Sequence, residues 1–556
     1  MTLTRLLAIL LIWISSAALL AQGPADVAKA ESAITLEDYK AHLLTISSDE
    51  FGGREPSTPG EEKTVTYLRD QFAALGLKPG NGDSWFQDVP LVAITTTPEK
   101  RMEVQGVARG FSMPFGTHWV AASRRLEPEV RIENSELVFA GYGAVAPEYD
   151  WNDFEGLDLK GKTVLVLVND PGFATQDSTL FTGNAMTYYG RWTYKFEEAA
   201  RQGAAGVLVI HETEAAGYPW GVIGGDRISA NYYLEAKDGN KSRCALEGWI
   251  SEEAARNLMA YAGVDYDAQK EAAARPGYRA QPLGVTYSMT LKNEIHRSTS
   301  RNVLALLPGS DLKDEYIIFS AHWDHFGIRE DLEGDNIFNG ARDNGTGTAA
   351  LLSMARAFSS LPNGTRRSIL FMPVTAEEQG LLGSAYYASH PVYPTNQTVA
   401  VINMDAMNIF GPMKDITIVG KGLSELDEYV LAAAKEQGRY VRPDPEPQKG
   451  VFYRSDHFSF AKQGIPALYA RMGVDHVEKG EAWTRRISAK WTIENYHKVN
   501  DEYDPAMWDL RGTIDDIRLL FRIGFRLAQS DAFPNWYPGN EFRARRDADM
   551  ARKSGE

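Results

Sequence analysis

Cysteine is almost absent from this chain of 556 residues, which contains only Cys244. A single cysteine cannot form an intramolecular disulfide, and it cannot build a thiolate zinc site. Any metal that the chain binds must therefore be held by histidine and carboxylate side chains. The chain has 10 histidines and 74 acidic residues that can serve as such ligands.

Positive charge is also scarce, with 58 basic residues against 74 acidic residues and a formal net charge of −16. A surface of this sign repels a phosphate backbone, and no basic cluster in the sequence is large enough to reverse the repulsion locally. We therefore expect no nucleic-acid partner. Bound cations would neutralise part of the negative charge.

Long hydrophobic runs are limited to residues 6–20, which follow Arg5 and precede the small residue Ala21. The run is short for a spanning helix, which needs about 20 apolar residues, and its flanks are typical of an export signal. We predict a signal peptide over residues 1–21 and a flexible lead over residues 22–33. After signal removal we expect no stable membrane insertion. An exported protein without disulfides fits a bacterial periplasm or a secreted bacterial enzyme; the oligomeric state stays open.

The chain is longer than the roughly 250 to 300 residues at which one hydrophobic core stops growing, so we expect two or more folded units. Near the start, Thr58 as a cap, Pro59 in the first turn and Gly76 as a stop predict an amphipathic helix. We predict the first part of a main domain, an inserted unit, the second part of the main domain and a charged, fraying tail, over residues 34–135, 136–280, 281–535 and 536–556.

The inserted unit alternates predicted strands and a helix. Apolar runs over residues 136–140, 162–169 and 206–210 are typical of strands, and residues 194–202 are helical in pattern. This order predicts a small α/β or β-rich module, which we call the inserted unit.

From residue 301 onward, strand and helix patterns alternate, which is typical of a mainly parallel sheet covered by helices. We predict strands over residues 315–321, 368–374 and 399–404, and helices over residues 346–360 and 381–389. The predicted fold class is therefore α/β, with a mainly parallel mixed sheet sandwiched by helices and a smaller inserted domain.

Polar clusters follow these strands or lie in the loop after one of them, and they contain His322, Asp343, Glu377, Glu378 and Asp405. Because ligands bind at the carboxyl ends of strands in open α/β sheets, we expect these side chains to converge. Carboxylates brought close together repel each other unless cations hold them. Zn²⁺ accepts histidine nitrogen and carboxylate oxygen, and one carboxylate can bridge two ions about 3.5 to 4 Å apart.

A pair of zinc ions needs a second imidazole, and His497, next to Tyr496, is the best candidate. Adjacent residues in an extended chain point to opposite sides, so Glu377 and Glu378 cannot easily ligate the same ion. One ligand and one proton carrier is the division that this spacing favours. The spacing of His322 and Asp324 is compatible with a carboxylate that accepts the second ring hydrogen of a ligand histidine.

Seven fragments together resemble the two-zinc aminopeptidase and glutamate carboxypeptidase family. They are residues 51–54, 320–325, 339–345, 377–383, 403–405, 454–457 and 496–497. Each fragment alone is a weak signal, but their order and content are specific. In addition, residues 141–220 resemble the protease-associated domain that some members carry as an insertion.

The resemblance implies two Zn²⁺ per chain. His322 and Asp405 would hold one zinc, Glu378 and His497 would hold the other, and Asp343 would bridge both.

The resemblance also implies the catalytic side chains. Glu377 would be the general base, and Asp324 would orient His322. Tyr496 would hydrogen-bond the developing oxyanion, and Arg454 would face the substrate.

We predict an exported metallopeptidase that hydrolyses the first peptide bond of peptides with a free amino end, through a metal-bound hydroxide and a glutamate base. Acidic groups beside the zincs accept an ammonium group, whereas a carboxypeptidase needs a cationic clamp, which Arg454 alone does not make. Three alternatives stay open: a carboxypeptidase of the same family, a glutaminyl cyclase with one zinc, and a non-catalytic binding protein on the same fold. For Arg54 and Arg342, surface charge pairing is the expected role.

Overall fold

The computed structural model describes residues 23–106, 110–225 and 228–554 of the chain. Two large β-sheets organise these residues, one in the main domain and one in the inserted unit. None of the described helices combines the length and the apolar character needed to cross a bilayer. The predicted signal peptide, residues 1–21, lies outside the described residues.

The main domain is built on an eight-stranded mixed sheet. In spatial order its strands are Lys78–Pro79, Ala305–Leu307, Arg367–Val374, Leu312–His322, Thr398–Asn403, Ala467–Met472, Asp415–Val419 and Tyr440–Pro443. The four strands from the third to the sixth position pair in parallel, and antiparallel strands flank them. The predicted strands over residues 315–321, 368–374 and 399–404 are confirmed as three of these central strands.

Both faces of the central strands are buried. Ile317 and Phe319 point to one face and pack against helix Thr346–Ser359 and its neighbours, whereas Ile318 points to the other face. This alternation follows from the two-residue period of a strand. Apolar side chains on both faces account for the continuous Val, Ile and Leu runs in the sequence. The predicted α/β class, a mixed sheet between helices, is confirmed.

The described residues form fifteen α-helices. They are Pro24–Ser32, Leu36–Ile46, Pro59–Ala74, Pro171–Thr175, Trp192–Arg201, Thr213–Ala216, Glu252–Tyr261, Tyr266–Ala273, Thr346–Ser359, Leu382–Ser389, Leu426–Glu436, His457–Ala461, Gly480–Glu494, Arg511–Gln529 and Arg543–Ser554. The helix predicted to start after Thr58 is the third. Thr58 Oγ1 accepts a hydrogen bond from the backbone N–H of Gly60 at 3.2 Å, as a cap does.

The inserted unit is built on a ten-stranded sheet. Eight strands lie in the order Ala230–Leu234, Phe86–Pro98, Gln281–Val303, Glu129–Phe139, Thr163–Leu167, Gly206–His211, Leu246–Ser251 and Trp119–Ala122, and Arg101–Gln105 and Phe111–Pro114 pair beside them. The predicted strands over residues 162–169 and 206–210 are confirmed, as is the helix predicted over residues 194–202.

The predicted boundaries of the inserted unit, residues 136 and 280, do not match the pairing of its strands. Strand Phe86–Pro98 pairs along its whole length with Gln281–Val303, in antiparallel register from Phe86 opposite Val303 to Pro98 opposite Leu291. The unit therefore begins about 50 residues before the predicted start. Hydrogen bonds between segments about 200 residues apart leave no mark on the local pattern of either segment.

The lead predicted as flexible over residues 22–33 is a helix from Pro24 to Ser32. Pro24 stands in the first turn, where its missing N–H costs nothing. Ala30 is buried, and Glu31 pairs with Arg522 of helix Arg511–Gln529 at 2.9 Å. The prediction of a flexible lead is therefore wrong, because contacts with helix Arg511–Gln529 order the segment.

The tail predicted to fray is also ordered as a helix, Arg543–Ser554. Trp536 and Arg546 are buried, and Arg546 donates a hydrogen bond to the carbonyl of Thr398 at 3.0 Å. The high charge of the tail suggested solvation, but one of its arginines reaches the start of a central strand.

Candidate metal centre

The predicted ligands meet at one edge of the eight-stranded sheet. His322 ends strand Leu312–His322, and Glu377 and Glu378 follow the parallel neighbour Arg367–Val374. Asp405 follows the other parallel neighbour, Thr398–Asn403. The carboxyl ends of parallel strands lie at the same edge of a sheet. The residues that end or follow these three strands are therefore brought together. Asp343 comes from the turn that precedes helix Thr346–Ser359.

Asp343 lies between the two predicted ligand histidines. Its Oδ1 is 3.2 Å from His322 Nε2, and its Oδ2 is 3.3 Å from His497 Nε2. Each histidine also faces a second carboxylate. Asp405 Oδ1 lies 3.6 Å from His322 Nε2, and Glu378 Oε2 lies 3.2 Å from His497 Nε2.

These separations suit two metal ions. Two ligand atoms about 2.1 Å from a tetrahedral ion lie about 3.4 Å apart. His322 Nε2 is buried and has no hydrogen-bond partner, although carboxylate oxygens surround it. His322 forms a potential ligand group with Asp343 and Glu378, and another with Glu377 and Asp405. Because an unpartnered imidazole nitrogen aimed at carboxylates is the donor set that zinc prefers, the residues fit this metal.

The charges at this edge are strongly coupled. Burial opposes the charge of His322, but the Glu377 and Asp343 carboxylates raise its imidazole pKa well above the usual value. Burial, then Asp343 and Glu377, raise the pKa of Glu378 well above its usual value. Such a cluster retains protons unless cations take their place.

Glu377 stands slightly apart from the ligands. Its Oε2 lies 3.9 Å from His322 Nε2, farther than the oxygens of Asp343 and Asp405. Burial is the largest cause that raises its carboxyl pKa well above the usual value. A carboxyl group with a raised pKa next to a reaction centre is suited to carry a proton.

Asp324 does not orient His322 in the predicted way. The Asp324 carboxylate lies 3.8 Å from His322 Nδ1, whereas the backbone carbonyl of Asp324 lies at 3.2 Å. The carboxylate instead accepts hydrogen bonds from the backbone N–H groups of Glu377, at 3.0 Å, and Glu378, at 3.3 Å. The backbone carbonyl takes the histidine because the carboxylate is engaged by the turn that carries both glutamates.

Tyr496 lies beside the ligand His497, whereas Arg454 lies near Arg191 of the inserted unit. The ring of Tyr496 stacks on His497 with 3.8 Å between centroids, and Tyr496 is 45% exposed. Burial of its hydroxyl, followed by the charges of Asp343 and Glu378, raises the pKa of Tyr496, so the hydroxyl keeps its proton. Arg454 is exposed.

Two contacts of the ligands were not predicted. His325 Nδ1 lies 2.6 Å from Glu378 Oε1, and Ser455 Oγ donates to Asp405 Oδ2 at 2.6 Å. These contacts engage Glu378 Oε1 and Asp405 Oδ2. The other oxygen of each carboxylate, Glu378 Oε2 or Asp405 Oδ1, faces a ligand histidine. Both residues belong to the fragments that carry the family resemblance, so their position in the sequence was a usable signal.

Arg54 and Arg342 are buried, so the expected surface pairing is wrong for both. Arg342 lies over the ring of Trp491 at 4.4 Å, and its Nε donates to the carbonyl of Met407 at 3.2 Å. These arginines satisfy their donors with backbone carbonyls and aromatic rings rather than with surface carboxylates.

Comparison with known proteins adds to this geometry. Residues 302–521, which contain all five predicted ligands, match the model of peptidase family M28. The match covers less than half of the chain. It confirms the predicted resemblance to zinc aminopeptidases and glutamate carboxypeptidases, to which several curated relatives also belong. The resemblance of residues 141–220 to a protease-associated domain stays a prediction.

Two curated relatives illustrate what this chain is similar to. It is 31% identical over 169 residues to aminopeptidase NAALADL1 of Mus musculus, and 36% identical over 189 residues to aminopeptidase YwaD of Bacillus subtilis. These matches cover 29% and 33% of this chain, but only 21% and 38% of the relatives. The chain thus spans well under half the length of each relative.

A solved aminopeptidase from Aneurinibacillus sp. strain AM-1 is similar over most of its length. It is 20% identical, with 91% of this chain and 97% of that chain covered and a TM-score of 0.48.

Proposed function

We propose that this protein is a two-zinc exopeptidase of the M28 family that removes residues from the free amino end of peptides. The observation that carries the proposal is the placement of Asp343, whose two carboxylate oxygens face two different histidines. His322 and Asp405 would hold one ion, and His497 and Glu378 the other. A single shared carboxylate is the arrangement that two adjacent zinc ions require.

Zinc ions held by these residues would supply Lewis acidity at neutral pH. Glu377 would take a proton from the attacking water and return it to the leaving amine. The Tyr496 hydroxyl, which keeps its proton, donates a hydrogen bond to the developing oxyanion. The Asp324 carboxylate accepts a hydrogen bond from the backbone N–H of Glu377. Asp324 thereby fixes the turn that carries Glu377 and positions the base.

The amino-end preference is supported by the acidity of the centre. Glu377, Glu378 and Asp405 make the centre acidic, and carboxylates bind a free ammonium group through charge-assisted hydrogen bonds. A substrate with a blocked amino group loses this interaction.

A second candidate, cleavage at the free carboxyl end, is favoured by one specific observation. Arg191 of the inserted unit has a buried Nε without a hydrogen-bond partner. Burial, and then the neighbouring Arg454, lower its pKa to about 10. Two guanidinium groups that act together can clamp a carboxylate, which Arg454 alone cannot do.

Two matched peptides separate the candidates. One carries a free amino end and an amidated carboxyl end, and the other an acetylated amino end and a free carboxylate. We expect the zinc-loaded enzyme to cleave the first and leave the second intact, with about two zinc ions per chain by elemental analysis. Cleavage of the acetylated peptide alone would replace this proposal with the carboxypeptidase, and a count near one zinc would remove the bridged pair.

Export to a bacterial periplasm or medium remains part of the proposal, and it rests on residues 1–21. We also propose that the inserted unit restricts access to the centre, as a protease-associated domain would. Helix Trp192–Arg201 supports this, since Glu197 pairs with Lys462 of the main domain at 3.0 Å. Peptides are the expected partners, and the oligomeric state is left open.

A further inference from the structure

Arg54 reaches the metal centre from a segment that is distant in sequence. It ends the short helical segment Asp49–Arg54, in which Gly52 and Gly53 have positive φ angles of 55° and 65°. A Cβ atom on Gly53 would lie 2.6 Å from the carbonyl oxygen of Gly327, so only glycine fits there. This close approach carries the Arg54 side chain, which is 1% exposed, beneath the centre.

The guanidinium group of Arg54 ties together the segments that carry two ligands. Its Nε donates to the carbonyl of Trp323 at 2.8 Å, one residue after His322. Its Nη1 and Nη2 donate to the carbonyls of Asn339, at 2.6 Å, and Gly340, at 2.9 Å, shortly before Asp343. Nη1 also donates to Ile46 at 2.8 Å. One rigid, planar group therefore spans the His322 and Asp343 segments.

The charge of Arg54 matches its surroundings. Burial lowers the pKa of its guanidinium to about 10, while Asp501, Asp324, Asp343 and Glu378 oppose that shift. Arg54 thus remains a buried cation at neutral pH, close enough to these carboxylates to interact with their charges.

Asp501 binds the backbone N–H groups of the loop whose carbonyls Arg54 binds, the loop that carries Asp343. Its carboxylate accepts hydrogen bonds from the backbone N–H groups of Arg342, at 3.0 Å, and Asp343, at 2.9 Å. Its own carbonyl accepts from the N–H of Ala341 at 2.8 Å. A buried cation therefore fixes the carbonyls of this loop, and a buried carboxylate fixes its N–H groups.

We infer that Arg54 is a positioning residue of the metal centre, which sets the separation of His322 and Asp343 and thereby the affinity for both zinc ions. The inference rests on the proposed two-zinc function. Outer partners of metal ligands change metal affinity about 10- to 100-fold when they are removed. Lysine cannot replace Arg54, because an ammonium group lacks the planar fork that reaches several carbonyls at once.

Arg546 provides a matched control. It is also 1% exposed, and it also donates to backbone carbonyls, those of Thr395, Thr398 and Val399. These carbonyls lie at or before the start of strand Thr398–Asn403, whereas Asp405 follows the end of that strand. Removing Arg546 therefore lowers the free energy of unfolding for the same reason as removing Arg54, because buried backbone carbonyls lose their hydrogen-bond donor. The lost contacts lie at the end of the strand opposite to the metal centre.

The experiment compares full-length wild type, Arg54→Lys, Arg54→Met and Arg546→Met. Zinc affinity is measured by competition with a chromogenic chelator, and the stability of the zinc-free protein is measured by thermal unfolding. We expect Arg54→Lys to weaken zinc binding at least about 10-fold. Arg546→Met is expected to lower the melting temperature while its zinc affinity stays within about twofold of wild type.

Three results would overturn the inference. The first is wild-type zinc affinity in Arg54→Lys or in a folded Arg54→Met, and the second is an equal loss of zinc affinity in Arg546→Met. The third is failure of both Arg54 variants to fold while Arg546→Met folds, which would make Arg54 a requirement of the fold rather than of the centre. A wild-type protein that binds no zinc would instead remove the proposed function.

Discussion

Two regions of this molecule bury charged side chains, and they treat them in opposite ways. In the inserted unit, the Lys195 cluster consists of Asp153, Asp170 and Lys195, all of which are buried. In the main domain, the metal centre brings together His322, His497 and four carboxylates. In the first cluster, hydrogen-bond partners within the chain satisfy the charged groups. In the second cluster, the imidazole nitrogen His322 Nε2 has no such partner.

Each member of the Lys195 cluster is satisfied locally. Lys195 donates to two backbone carbonyls, and Asp170 accepts two hydrogen bonds from Thr187 and one from a backbone N–H. Asp153 accepts from one backbone N–H and from one indole N–H. Buried polar groups with this many partners need no ligand.

The metal centre lacks such closure. His322 Nε2 is buried without a hydrogen-bond partner, and the carboxylates around it raise one another's proton affinity. The difference teaches that burial of charge does not by itself mark a functional site. Convergence of like charges on an unpartnered imidazole is the feature that calls for cations.

The largest effect should come from Asp343→Asn, which removes the shared ligand. We expect zinc affinity at both positions to fall by more than about 100-fold, since even outer partners cost 10- to 100-fold, and peptidase activity to disappear with it. Asp170→Asn, the same chemical change in the Lys195 cluster, serves as the control and should leave zinc affinity unaltered. Retention of two tightly bound zinc ions by Asp343→Asn in a chelator titration would contradict the bridge.

Glu377→Gln should separate proton transfer from metal binding. We expect kcat to fall by about 10²- to 10⁴-fold, because the amide cannot accept the proton of the water. Zinc content, measured on the same sample by elemental analysis, should remain that of wild type. Full activity in this variant would show that Glu377 is not the base.

Lys195→Met tests the other side of the comparison. Loss of the ammonium group leaves Asp153 and Asp170 without their buried counter-charge, so the free energy of unfolding should fall by about 3 to 5 kcal/mol. Urea denaturation followed by tryptophan fluorescence measures this change, and chelator titration should give wild-type zinc affinity. A variant that unfolds like wild type, or that loses zinc, would break the distinction between the two regions.

The last prediction concerns the pH dependence of stability. Burial raises the pKa of Asp153 to about 7, from an ordinary value of 3.8. Between these values the folded protein holds a proton that the unfolded chain has lost, so the stability contributed by this proton is present in acid and is lost as the pH rises through about 7.

Asp153→Asn should therefore flatten this dependence. We expect the fall in unfolding free energy between pH 4 and pH 7 to shrink by at most about 1.4 kcal/mol per pH unit, as one proton allows. Denaturant titrations at several pH values measure the slope. An unchanged slope would mean that Asp153 is ionised in the folded protein over this range.

Local patterns predicted the central strands and helices to within a few residues. The runs at 315–321 and 368–374 correspond to strands Leu312–His322 and Arg367–Val374. His322, Glu378 and Asp405 were predictable for the same reason, since each ends or follows a strand of the sheet. Asp343 lies instead in the turn before helix Thr346–Ser359. His497 had no such strand before it and was predicted from its fragment alone.

Long-range contacts account for what was missed. The start of the inserted unit depends on the pairing of Phe86–Pro98 with Gln281–Val303. The helices Pro24–Ser32 and Arg543–Ser554 are ordered by contacts with residues 491 and 148 positions away. The burial of Arg54 depends on carbonyls of Trp323 and Asn339, which no local window contains.

The sequence by itself determined the α/β fold class and the five side chains that meet at the sheet edge, because periodicity and strand-end placement are local properties. Its single cysteine also excluded an intramolecular disulfide and a thiolate zinc site. Only the tertiary structure decided which oxygen faces which histidine, that Arg54 and Asp501 grip the loop of Asp343, and where the inserted unit begins. Those features depend on hydrogen bonds between segments far apart along the chain, whose partners are selected by packing.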